Sequence, residues 1–182
     1  MRNDCESLGD SKRQRLGAPT ADGLAWSVTF HLSNNQYNLC MEIAVGHLKV
    51  IMYVPIQCSK HTWNLTIKPI QECPYYRCII NNDASLYDGY IALWAKRDPV
   101  VMTKHPYVQF ISLLNNIKTK GYTADEKEDA ISVYHDTTCL EDGHHRAAII
   151  CALYGPEHRL NVDVLDDELP CDIDQCANPC RS

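Results

Sequence analysis

Apolar residues alternate with polar ones over residues 24–32, and this two-residue period predicts a half-buried strand. Two further apolar stretches, 39–45 and 48–54, flank the Gly-His dipeptide at 46–47. A short turn between two such stretches predicts a β-hairpin. A fourth strand is predicted over residues 62–67. The first part of the folded chain is therefore expected to be β-structure.

The chain between Pro106 and Gly121 has a helical period, because its apolar residues recur at intervals of three and four. Proline suits the first position of a helix and glycine its end, so a helix is predicted between them. Residues 71–84 contain turn-forming residues and are predicted to be a loop, and residues 86–96 a short helix or strand. A strand, an apolar helix and an alternating strand are then predicted, in that order, over 130–134, 147–153 and 160–164.

This order of helices and strands indicates a βαβ-like unit with a mixed sheet, which places the protein in the α/β or α+β class. We expect a single compact domain over residues 24–166, with the predicted hairpin as an N-terminal extension. Residues 1–23 are polar and lack an apolar period, so they are predicted to be a flexible tail. Residues 167–182 are expected to form a cysteine-rich C-terminal tail.

Composition and charge narrow the class of protein. The 182 residues are 45% hydrophobic and 22% charged, which is typical of a globular protein. The formal charge of −6 gives an average field that repels nucleic acids, so no nucleic-acid partner is expected. Because no apolar run reaches the roughly 20 residues of a membrane span and the polar N-terminus contains no signal core, we expect no membrane partner and a cytoplasmic location.

Ten cysteines are many for a cytoplasmic protein, so an exported, disulfide-bonded protein is an alternative that the sequence leaves open. Three of them, Cys171, Cys176 and Cys180, lie close together in the C-terminal tail. Their spacing is irregular, so a zinc site, disulfides and free thiols all remain possible there.

Ionisable residues are concentrated just before the apolar helix, where residues 139–146 read Cys-Leu-Glu-Asp-Gly-His-His-Arg. A helix N-terminus presents unpaired N–H groups and a partial positive charge, a combination that binds phosphate. Gly143 permits close approach of the backbone and Arg146 adds a forked donor, so the segment predicts a phosphate cradle. The alternative is that Asp142 only caps the helix and the residues after it form a solvated first turn.

The same segment resembles the ParB/sulfiredoxin-like superfamily. Residues from Ser112 to Val164 contain a helix ending in Lys-Gly, a strand, a DGHHR box at residues 142–146, a second helix and a returning strand. Residues 67–77 are similar to the N-terminal box of the superfamily. The resemblance implies that the box binds the phosphates of ATP, ADP or CTP. The cofactor-binding positions that it implies are Asp142, Gly143, His145 and Arg146.

The branches of this superfamily imply different activities. Sulfiredoxins have a nucleophilic cysteine where this chain has His144, so their redox repair chemistry is not expected here. Chromosome-partitioning members add a helix-turn-helix domain, for which the residues after 166 give no signal. The free-serine-kinase branch has a box like DGHHR, and the resemblance implies Glu72 as the base, with His144 as the second catalytic residue. Phosphoryl transfer usually requires Mg²⁺, for which Glu141 is the predicted ligand.

The leading hypothesis from the sequence is a ParB-like protein that binds a nucleotide or another phosphorylated small molecule. Its more specific form is a phosphotransferase that acts on a small hydroxyl compound. The competing hypothesis is a non-catalytic ligand-binding or regulatory module of the same fold.

Overall fold

The computed structural model describes residues 27–33, 36–55, 63–96, 98–123, 130–135 and 137–166. Both predicted tails, 1–23 and 167–182, lie outside these residues, and so do the three cysteines of the C-terminal tail. The described part of the chain contains seven strands and five α-helices. The strands are β1 (Ser27–Ser33), β2 (Gln36–Ala44), β3 (Lys49–Pro55), β4 (Trp63–Pro69), β5 (Ser132–Val133), β6 (Leu140–Asp142) and β7 (Arg159–Val164). The helices are α1 (Pro74–Asn81), α2 (Ala84–Ala95), α3 (Val101–Lys104), α4 (Tyr107–Lys120) and α5 (His144–Tyr154).

The strands form two sheets. The larger sheet has five strands in the order β1-β2-β7-β5-β6. Its β5 and β7 are parallel, with Ser132 opposite Asp163, and its other neighbouring strands are antiparallel. The smaller sheet is the antiparallel pair β3 and β4. The expected α/β class and mixed sheet are therefore confirmed.

The predicted hairpin between residues 39–45 and 48–54 is wrong, because β2 and β3 belong to different sheets. Val45–His47 is a single turn of 3₁₀-helix. Its backbone forms hydrogen bonds with the turn between α5 and β7 rather than with a hairpin partner. Val45 N donates to His158 O and Gly46 N donates to Pro156 O, both at 2.8 Å. This turn redirects the chain, and the N-terminal hairpin is instead formed by β1 and β2.

The loop predicted over residues 71–84 is also wrong, because it contains α1. Pro74 occupies the first position of α1, and the Cys73 thiol accepts a hydrogen bond from Tyr76 N at 3.4 Å as the N-cap. The Asn-Asn-Asp segment does act as a turn, but one that separates two helices. Asn82 ends α1 in the left-handed conformation, and the Asp83 carboxylate caps α2 by accepting from Ser85 N at 2.9 Å.

The remaining predictions differ from the structure mainly at the ends of elements. The segment 86–96, predicted as helix or strand, lies mostly in α2. The helix predicted from Pro106 starts one residue later, and it ends at Gly121 as expected. The sequence did not predict α3 or β6, which have only four and three residues.

Helix α5 lies in the centre of the core, and this position explains why its sequence is apolar on nearly every face. Residues 147–151 are at most 1% exposed, and α5 packs against α1 and α4. Full burial of an Ile side chain such as Ile149 or Ile150 stabilises the fold by about 1.5–3 kcal/mol. Although α5 is apolar it has 11 residues, and in the described part of the chain no helix is long and apolar enough to cross a membrane.

Candidate functional site

The DGHHR box lies where β6 leads into α5. Ser132 of β5 pairs with Asp142, whereas the next residue, Val133, pairs with Leu140, so β6 contains one extra residue at this point. Such a bulge changes the direction of the side chains on its strand. Leu140 is buried, whereas Glu141 and Asp142 are both exposed. The irregular pairing thus brings two successive carboxylates to the surface beside the box.

Gly143 connects β6 to α5 in a conformation that favours glycine, with a φ of 80°. A Cβ atom at this position would lie 2.8 Å from Ile131 Cγ1 and 2.9 Å from Ile131 Cα. A side chain here would therefore meet both backbone strain and a contact with the backbone of the segment leading into β5. Gly143 allows the turn to lie directly against that segment.

Helix α5 begins without a side-chain cap. Its first intrahelical bond runs from Ala147 N to Gly143 O at 2.8 Å, so the helical hydrogen-bond pattern begins only at residue 147. The Asp142 carboxylate accepts a hydrogen bond from Gly143 N at 2.6 Å, and this bond does not cap the helix. The alternative drawn from the sequence, in which Asp142 only caps α5, is therefore wrong.

Two hydrogen bonds connect residues 130–132 to charged side chains, one of them in the box and the other directly before it. Arg146 Nη1 donates to Ala130 O at 2.7 Å, which holds the guanidinium at the N-terminus of α5. Ser132 Oγ donates to Glu141 Oε2 at 3.1 Å. The box is thus positioned by residues 130–132 through Arg146, Gly143 and Glu141.

A cavity of about 440 Å³ lies in front of the box, and this volume is in the range of small-molecule sites. Residues 140–146 form one side of the cavity. Aromatic residues from other elements form part of its lining: Tyr75, Tyr90, Trp94, His105 and Tyr134. The structure therefore brings six of the seven predicted site residues together at one cavity: Glu141, Asp142, Gly143, His144, His145 and Arg146.

The two histidines of the box are neutral at pH 7. Burial lowers the pKa of His144 to about 4, against the opposing effect of the nearby Asp142 carboxylate. Burial lowers the pKa of His145 to about 3, and the neighbouring His105, His144 and Arg146 lower it further. These side chains bring hydrogen-bonding nitrogens to the cavity, and Arg146 supplies its positive charge.

His145 lies between the cavity and the aromatic part of the core. Its ring contacts those of Tyr75, Phe110 and Tyr87 at centroid distances of 4.4, 5.3 and 5.7 Å. Its Nε2 atom is buried and has no hydrogen-bond partner. The role of His145 as a phosphate contact stays a prediction, and the structure adds a packing role for the same ring.

Glu72 lies apart from the cavity. It lines a separate surface depression and forms an exposed ion pair with Lys68, at 3.5 Å between Nζ and Oε2. Strand β4 borders both regions, because successive side chains of a strand point to opposite faces. Leu65 lines the cavity, whereas Thr66 and Lys68 line the depression. The structure therefore does not bring the predicted base together with the predicted phosphate cradle.

The described residues contain no group of three or more His, Cys, Asp and Glu side chains that could hold a metal ion. Glu141 and Asp142 are exposed at the edge of the cavity. Mg²⁺ in phosphate sites commonly uses one or two carboxylates together with phosphate oxygens. The two carboxylates fit this donor set, and Glu141 stays the predicted ligand.

Trp94 and His105 are among the cavity residues that sequence reasoning missed. Trp94 is near the end of α2, and His105 lies between α3 and α4. Both are far from the box along the chain, so no spacing connects them to it. The high density of aromatic residues between Tyr75 and Trp94 is the one feature of the sequence that indicates an aromatic lining of the cavity.

We compared the chain with models of protein families, with curated proteins and with solved structures, and found no match in any of the three comparisons.

Proposed function

We propose that the cavity binds a nucleotide or another phosphorylated small molecule, with a phosphate group at the N-terminus of α5. The observation that carries this proposal is the coincidence of a ligand-sized cavity with an uncapped helix N-terminus and Arg146. Backbone N–H groups and a guanidinium are the donors that bind phosphate oxygens. The resemblance of the box to the ParB/sulfiredoxin-like superfamily supports the same ligand class.

The charges at the cavity favour a phosphate that is bound together with a divalent cation. Arg146 contributes one positive charge, whereas Glu141 and Asp142 contribute two carboxylates, and burial keeps His144 and His145 neutral. A free di- or triphosphate would meet net repulsion from these groups. Mg²⁺, held by Glu141 and the phosphate oxygens, would offset it. We therefore expect binding of ATP, ADP or CTP to depend on Mg²⁺.

A thermal-shift experiment with ATP, ADP and CTP tests the proposal, because a ligand that binds only the folded state raises Tm. In the presence of Mg²⁺ we expect at least one nucleotide to raise Tm by several degrees, and the Arg146→Ala variant to lose most of this increase. Arg159→Ala is the matched control, because Arg159 is a half-exposed arginine of β7, outside the cavity, that pairs with Glu42.

Absence of a shift with all three nucleotides and with inorganic pyrophosphate would contradict the proposal. An equal loss of the shift in Arg146→Ala and Arg159→Ala would contradict the assignment of the phosphate to the box. The Tm values without ligand separate loss of binding from loss of stability.

Of the two forms of this function, binding without catalysis is favoured by the position of Glu72 outside the cavity. Phosphoryl transfer is the second candidate, because Asp142 and His144 lie at the cavity and a carboxylate or imidazole there would be in reach of a substrate hydroxyl. Transfer of phosphate from ATP or ADP to a panel of hydroxyl compounds distinguishes the two forms.

We also propose a cytoplasmic location, which free thiols would support. The five cysteines among the described residues carry no disulfide, and four of them are buried. Counting the thiols of the native protein under denaturing conditions tests this point. A count that shows disulfides would favour the exported alternative.

A further inference from the structure

Three of the residues that line the cavity, Tyr90, Trp94 and His105, form a continuous cluster of rings, called here the aromatic wall. The rings of Trp94 and His105 are nearly parallel, with an interplanar angle of 14° and a centroid distance of 5.7 Å. The Tyr90 ring contacts Trp94 at 6.3 Å. The cavity is therefore lined both by aromatic rings and by the polar residues of the box.

The aromatic wall is held in place by the core. Tyr90 is buried within α2, and Trp94 follows one helical turn later. The His105 backbone carbonyl accepts a hydrogen bond from the Tyr87 hydroxyl at 3.1 Å, and this fixes the junction between α3 and α4. A rigid aromatic surface loses little conformational entropy when a ligand binds to it.

The wall and the box are connected through ring contacts. His105 contacts Trp94 on one side and His145 on the other, where the two ring centroids are 5.4 Å apart. His145 belongs to the first turn of α5, where the phosphate is proposed to bind. One ring, that of His105, therefore lies between Trp94 and the box, and all of these residues line the same cavity.

A phosphate group binds through its oxygens to N–H donors, so an aromatic surface does not contribute to its binding. A nucleobase binds to such a surface, because its flat faces stack on aromatic side chains. This stacking contributes about 1–3 kcal/mol per base. We infer that the ligand is a nucleoside phosphate whose base stacks on the aromatic wall at Trp94, with its phosphates at the box. This inference rests on the proposed phosphate site and adds to it the part of the ligand that provides specificity.

Two pairs of ligands test the inference on the wild-type protein. AMP and ribose 5-phosphate differ by the base alone, and ADP differs from pyrophosphate by its whole nucleoside. With Mg²⁺ present, we expect AMP to bind at least about fivefold more tightly than ribose 5-phosphate, which is the lower end of a single base-stacking contribution. ADP should likewise bind more tightly than pyrophosphate. Isothermal titration calorimetry measures all four affinities.

The variant Trp94→Leu removes the stacking surface and should weaken ADP at least about fivefold while leaving pyrophosphate unchanged. Tyr154→Leu is the control, because Tyr154 is an exposed aromatic residue at the far end of α5. If Trp94→Leu does not fold, Trp94→Phe is used instead, because Phe keeps an aromatic ring. The quenching of tryptophan fluorescence by ADP is then compared between Trp94→Phe and the wild type. The difference gives the contribution of Trp94 without that of the other two tryptophans.

The possible results distinguish the base site from the proposed phosphate site on which it depends. Equal affinities of AMP and ribose 5-phosphate, or equal weakening of ADP and pyrophosphate by Trp94→Leu, overturn the base site and leave the phosphate site standing. Failure of all four ligands to bind overturns both.

Discussion

At the scale of single residues, Gly143 decides whether the box can take its shape. Its positive φ favours glycine, and its closeness to the backbone of Ile131 leaves no room for a Cβ atom. Arg146 is also fixed to the segment next to Ile131, through its bond to Ala130 O. The proposed phosphate site and the segment that supports it therefore depend on the same close contact.

Replacing Gly143 by Ala should destabilise the protein by about 2–5 kcal/mol, from the left-handed backbone and the forced contact with Ile131. Urea denaturation measures the change. Gly89→Ala is the control, because Gly89 lies within α2 with open space around its Cα, and alanine there should stabilise by about 0.5–1 kcal/mol. A Gly143→Ala protein as stable as the wild type would contradict the tight packing of the turn.

At the scale of elements, strand β4 contributes side chains both to the cavity and to the depression that contains Glu72. The alternation of side chains along β4 places Leu65 on the cavity side and Thr66 on the other. The 3₁₀ turn Ile70–Glu72 directly follows β4, and Glu72 pairs with Lys68 on the depression side. The position of Glu72 thus follows from the face of the sheet on which the turn lies.

We therefore expect Glu72→Gln to leave the nucleotide-induced increase in Tm unchanged. Because the Lys68–Glu72 pair is exposed, its loss should change the free energy of unfolding by less than about 1 kcal/mol. Asp142→Asn, which alters a carboxylate at the cavity, is the comparison and should change the Mg²⁺ dependence of binding. A Glu72→Gln protein that no longer responds to nucleotide would show that the depression and the cavity act together.

At the scale of the whole molecule, the buried histidines couple the stability of the fold to pH. The pKa of His144, His145 and His105 is lowered in the folded state, in each case mainly by burial. The unfolded chain therefore binds more protons than the folded protein below about pH 6.5. Above this pH the three histidines do not reduce the free energy of unfolding. As the pH falls below it, towards 4 and then 3, the free energy of unfolding decreases because protons bind preferentially to the unfolded chain.

Acid should therefore lower Tm, and His145→Phe should reduce this sensitivity. Each histidine protonated only in the unfolded state costs about 1.4 kcal/mol of stability per pH unit. Phe would keep the contacts with Tyr75 and Phe110 and would remove a buried nitrogen without a partner. Tm measured between pH 7 and 4.5 gives the slope, and exposed His47→Gln is the control. An identical slope in His145→Phe and the wild type would contradict the burial of this ring.

Local sequence patterns predicted a helix or strand correctly where residues close together in the chain determine that element. The period of apolar residues predicted α4, α5 and β7, and Gly121 marked the end of α4. The alternation over residues 24–32 predicted β1. The loop predicted over residues 71–84 failed because α1 is a short helix whose start depends on a thiol cap at Cys73, which is a rare signal.

The sequence by itself determined the class of the fold, the central apolar helix and the cluster of donors at its N-terminus, because these depend on neighbours along the chain. Only the tertiary structure decided which sheet β3 joins, that Glu72 lines a separate depression, and that Trp94 and His105 line the same cavity as the box. These outcomes depend on contacts between residues that are distant in sequence. Local patterns are compatible with several arrangements of the helices and strands, and tertiary packing determines which of them forms.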